Sequence, residues 1–73
     1  MSIEQHVYEI GVFNERVRKA LAEGARDANL SDDWADIHYV EIFATDESGA
    51  RSKMERRYPA ANGYVITEVK KLR

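Results

Sequence analysis

The chain has no cysteine, which excludes disulfide bonds and thiolate metal centres. It has one proline, Pro59, so only there is a helix forced to stop. Its glycines are few and scattered, so no glycine-rich phosphate loop is present. No apolar run approaches the roughly 20 residues needed to cross a bilayer. The opening MSIEQHVYEIG carries acids where a signal peptide carries a basic segment and an apolar stretch. Neither sign of charge dominates: 11 basic and 13 acidic residues leave a net charge of −2, with no whole-molecule pull toward nucleic acid or anionic membrane. A soluble, cytoplasmic protein is expected.

What is present is enough for one small domain spanning residues 1–73. The 44% hydrophobic content favours folding over disorder. A chain of this size buries a modest share of its surface, so contacts with a partner are an expected source of added stability. No repeat, low-complexity tract or linker interrupts it.

Residues 6–13, HVYEIGVF, alternate as a strand, with Tyr8, Ile10 and Val12 on one side and Val7, Glu9, Gly11 and Phe13 on the other. Asn14 suits the N-cap of a helix with Glu15 in its first turn and Val17, Ala20, Leu21 and Gly24 along one stripe, ending near Asn29. A competing reading runs one helix from Ser2 to Asn29, because Ser2 and Gln5 are spaced as a capping box. Gly11 and the β-branched residues of 7–12 oppose it. Residues 27–36, DANLSDDWAD, make a polar connection anchored by Trp34, and 37–45 is a second strand. DESGARSKMERRYP gives a second helix, capped by Asp46 or Ser48, with Ala50, Met54 and Tyr58 as its apolar stripe. Pro59 ends it, Asn62-Gly63 turns the chain, and YVITEVKKL is the third strand.

The connections around the second helix are short, which predicts that strands two and three run parallel with a right-handed crossover. The connection after the first helix is about ten residues and could span roughly 30 Å, enough to cross the sheet end to end. The first strand then lies between the other two and antiparallel to both. The expected fold is α+β: a small two-layer β-α-β-α-β sandwich with a three-stranded sheet and two helices on one face. This is a split β-α-β, a ferredoxin-like arrangement short of one edge strand, with residues 30–35 a candidate stub of that strand. A fully parallel sheet in the order 1-2-3 is the alternative.

Each strand carries a glutamate near its centre: Glu9, Glu41 and Glu68. Strict alternation puts Glu9 with Val7 and Phe13, Glu41 with Ile37, Tyr39 and Phe43, and Glu68 with Tyr64, Ile66 and Lys70. The opposite sides are more apolar and are the natural helix-covered face. The glutamates therefore mark an open face that also bears Phe13, Tyr39, Phe43, Tyr64 and Ile66, and an apolar load of this kind marks interaction sites. Aromatics as mere strand formers are the plainer reading. The carboxylates could also approach a divalent cation, but Lys70 is at hand to neutralise them, and no metal or other cofactor is expected.

Other constellations are weaker. An aromatic sheet face can stack RNA bases, but no RNP pattern is present and the glutamates would repel phosphate. Arg51, Lys53, Arg56 and Arg57 form a candidate basic patch on the second helix, suited to phosphate or an acidic partner or simply to solvent. His6 and His38 are placed near strand starts on the covered side and could pair. Asp27, Asp32, Asp33 and Asp36 lack calcium-loop spacing.

The leading expectation is thus a non-enzymatic interaction module, an accessory subunit or regulator. It would dock another protein or a second copy of itself through Glu9, Phe13, Tyr39, Glu41, Phe43, Tyr64, Ile66 and Glu68. A homodimer enclosing a ligand between two sheets, with Glu41 or Tyr39 as acid–base groups, is the second, with no catalytic residue assigned. Nucleic-acid binding through the basic helix and tail is the third.

Overall fold

His6–Asn14 runs extended as strand β1 in the computed structural model, which describes residues 4–26 and 30–73. Ile10 and Val12 are fully buried and Tyr8 nearly so, as β-branched and aromatic side chains pack well on a pleated surface. A strand here removes the long-helix alternative; its proposed cap, Ser2, lies outside the described residues. Strands β2, His38–Ala44, and β3, Tyr64–Lys71, flank β1 in the order β2-β1-β3, each antiparallel to it. This is the split β-α-β sheet of a small α+β fold, and the parallel 1-2-3 alternative is overturned.

Helix α1, Glu15–Ala22, starts on an Asn14 cap: the side-chain oxygen accepts from the backbone N–H groups of Arg16 and Val17. The helix ends well before Asn29. Gly24 adopts a φ of 76°, and the Ala25 and Gly24 N–H groups donate to the Ala20 and Leu21 carbonyls. That left-handed closure favours glycine and terminates the helix. Asp27 and the rest of the expected extension to Asn29 lie outside the described residues. Residues 30–35 contribute no strand stub: Asp32–Ala35 is a 3-10 turn whose cap, Ser31, accepts from the Asp33 N–H.

Helix α2, Glu47–Arg57, is capped by Asp46, which accepts from the Gly49 N–H at 2.7 Å; Ser48 lies inside the first turn. α2 contacts all three strands and buries Ala50 and Met54 against them. The core consists of Tyr8, Ile10, Val12, Ile42, Ala44, Ala50 and Met54, ringed by half-buried Trp34, Val40, Tyr58, Tyr64, Ile66 and Val69. α1 packs chiefly on the Trp34 turn and the start of β3. The Cα extents of 53 × 20 × 14 Å describe a thin, elongated body. Its 14.2 Å radius of gyration exceeds the roughly 11 Å of a compact domain this long.

One irregularity changes the faces. Gly11 pairs with Glu68 but Val12 pairs with Ile66, so Thr67 is an extra residue in β3. A bulge of this kind shifts the alternation by one residue. Tyr64 and Ile66, expected on the open face with Glu68, therefore turn inward and pack on the core. Val69 beyond the bulge is also inward, while Glu68 and Lys70 remain outward.

Candidate functional site

The open face is built in rows across the sheet. Glu41, Glu9 and Lys70 form one row, and Tyr39, Gly11 and Glu68 the next. Glu68 is thus displaced from the other two glutamates, and Lys70 takes its place beside Glu9. Phe43 pairs with Val7, which is only 6% exposed. Gly11 is where the face is shallowest: a Cβ there would overlap Thr67 Oγ1 and stand 3.2 Å from Ile37 Cγ2. The missing side chain lets the bulged Thr67 and Ile37 close over the central strand.

Ile37, Tyr39 and Phe43 are 41%, 57% and 58% exposed. They are alternate residues of one segment and so project to one side of it. Phe13 is different. It is half-buried, with the Arg18 guanidinium 3.7 Å above its ring. Arg18 also donates from Nε and Nη2 to the Ala35 carbonyl, at 3.0 and 2.8 Å. Phe13 is therefore a covered end of the face rather than a free anchor.

β2 is also an open edge. Val7 directs its N–H and C=O toward the end of β3, donating to the Arg73 carbonyl and accepting from the Leu72 N–H. Its pairing with Phe43 is then of the non-hydrogen-bonded kind, and the Phe43 peptide groups point away from β1. By alternation the same holds for Glu41 and Tyr39. The Phe43 carbonyl accepts from Lys53 Nζ, as expected for an acceptor on a free edge.

A groove of about 410 Å³ follows this edge, between Glu41, Ile42 and Phe43 on β2 and Lys53, Arg56 and Arg57 on α2. The expected basic patch is divided: Arg51 lines a separate groove with Glu55, Tyr58 and Tyr64 on the β3 side. The histidines do not meet. His6 pairs with Ala44 and His38 with Val12, at opposite ends of the antiparallel ladder. His38 stacks on Trp34 at 4.4 Å and its Nε2 lies 2.9 Å from the Asp33 carbonyl, so that nitrogen carries the proton. Trp34, Tyr58 and Tyr64 close the same end of the core.

The surface thus holds Glu9, Tyr39, Glu41, Phe43 and Glu68 as expected, with Ile37 added and Tyr64 and Ile66 removed. The expected strand order already left β2 at an edge, apart from the candidate stub at 30–35, but which of its peptide groups point outward depends on the register and could not be read from the sequence. No protein-family model, curated protein or solved structure matches the chain.

Proposed function

We propose that this is a small non-enzymatic interaction module, an accessory subunit or regulator, that docks a protein through the open sheet face at β2. One observation carries the reading: Ile37, Tyr39 and Phe43 are exposed together on one side of one edge segment. Grouped apolar exposure of this kind marks interaction surfaces, whereas isolated exposed residues need no explanation. Aromatic anchors contribute strongly to such interfaces. Glu41 and Glu9 beside them would pair with cations on the partner. The elongated shape supports the same reading, since a thin body buries little of its own surface.

A photo-crosslinking amino acid at position 39, compared with one at position 51 on α2, tests this in cells. Position 39 should give a defined crosslinked protein that position 51 does not, and Phe43→Ala should diminish it. Light scattering on the purified protein reports whether that protein is a second copy. Equal crosslinking from both positions, or none from position 39, would overturn the proposal.

A further inference from the structure

We infer that the β2 edge adds an extended, acidic peptide strand of a partner, held between the sheet edge and the basic side of α2. The inference rests on the open-face reading for its apolar half and specifies the partner's chemistry.

Unpaired edge groups are a template for another strand, and peptides use such edges by continuing the hydrogen-bond ladder. The Tyr39, Glu41 and Phe43 peptide groups supply that ladder, as the Val7 pairing shows. An added strand places alternate side chains on the two faces of the sheet. On the open side they meet Tyr39 and Phe43, which suits β-branched or aromatic residues. On the other side they meet Lys53, Arg56 and Arg57, none of which has a carboxylate partner among the described residues. Carboxylates complement that side.

Lys53 supplies the exchange. Its ammonium now donates to the Phe43 carbonyl, which shields the edge. An incoming strand N–H takes over that acceptor, and the released ammonium pairs with a strand carboxylate. Lysine so placed also discourages indiscriminate pairing. A second copy fits poorly. Two-fold pairing of β2 with itself would bring Lys53, Arg56 and Arg57 of both chains together, and like-charge juxtaposition at an interface is costly. A nucleic-acid backbone has no N–H groups to continue the edge ladder, so a peptide strand fits this edge better.

Fluorescence anisotropy with a labelled decapeptide alternating glutamate and valine tests the inference on the full chain. Saturable binding is expected, weakened about tenfold or more by Arg56→Glu with Arg57→Glu, as for loss of paired charges across an interface. Both arginines are exposed, so circular dichroism should be unchanged. N-methylation of alternate peptide amides should abolish binding, and a lysine–valine peptide should bind more weakly. No saturable binding of the glutamate peptide, equal binding of its N-methylated form, or equal binding of the lysine peptide overturns the inference. Crosslinking from position 39 reports whether this face meets a protein at all, whereas the peptide assays report the edge ladder and its charge preference, so the two failures are distinguishable.

Discussion

Glu9 and Glu41 stand directly opposite one another on the open face, in the closer, non-hydrogen-bonded type of antiparallel pair. Like charges so placed are destabilising by a few tenths of a kcal/mol to about 1 kcal/mol. Lys70 flanks Glu9 on the other side without forming an ion pair among the described residues. Glu41→Gln keeps the shape and removes the repulsion. It should raise the urea midpoint by an amount equivalent to about 0.5 kcal/mol, with the gain shrinking as salt is added. An unchanged midpoint at low salt would show that the pair carries no strain. A gain in stability together with weaker crosslinking from position 39 is the trade expected where a charge serves binding.

Gly11 and Gly24 should answer differently to alanine. At Gly11 the added methyl meets Thr67 and Ile37, and overpacking of a closed site costs about 1–3 kcal/mol. At Gly24 nothing lies within 4 Å but φ is 76°, so the cost is conformational, about 1 kcal/mol. Denaturant unfolding of the two variants separates them. A Gly11→Ala midpoint equal to wild type would mean that the bulge shifts freely.

Asn14 is fully buried and works in two directions. Its oxygen caps α1, and its Nδ2 donates to the Asn62 carbonyl at 3.1 Å. Asn14→Ala loses the cap, about 1 kcal/mol, and a further 1 kcal/mol or so for the buried hydrogen bond. Asn14→Asp keeps the cap acceptor and loses the donor, so both variants should be destabilised, in distinguishable amounts. Equal stability of Asn14→Ala and wild type would remove Asn14 from its linking role.

Arg18 ties α1 to the Trp34 turn through the Ala35 carbonyl and to the sheet through the Phe13 ring. Lysine cannot reproduce the planar fork. Arg18→Lys should leave global stability within about 1 kcal/mol, as surface interactions do. It should speed amide exchange locally, at residues 32–36 and in α1. Exchange unchanged there, with the rest of the chain also unchanged, would assign the tether elsewhere.

Much of this was legible in the chain. The length of the polar connection before Ile37 permitted the β2-β1-β3 order, and Asn14 and Asp46 announced their helices because capping is local chemistry. What alternation could not reveal was the bulge. A hint was present: Tyr64, Ile66 and Val69 are spaced two and then three apart, and a mid-strand glycine, Gly11, often accompanies a bulge on the neighbouring strand. The stop at Gly24 was also written locally, but the stripe through Val17 and Leu21 suggested continuation. Trp34 was seen as an anchor, yet its stacking on His38 and contacts with Tyr58 and Tyr64 depend on residues far apart in the sequence. The fate of Phe13 depended on Arg18 reaching back over it, which no periodicity encodes.

The extra residue at Thr67 makes β3 two half-strands out of phase. Before this residue the even-numbered Tyr64 and Ile66 face the interior; after it the even-numbered Glu68 and Lys70 face the surface and the odd-numbered Val69 turns inward. The segment is therefore constrained by count more tightly than by composition. Exchanging one apolar residue for another at position 64 or 66 leaves the phase intact. Deleting Thr67 would close the bulge and keep Tyr64, Ile66 and Val69 inward, whereas deleting Val65 with the bulge in place would turn Tyr64 out of the core and onto the docking surface.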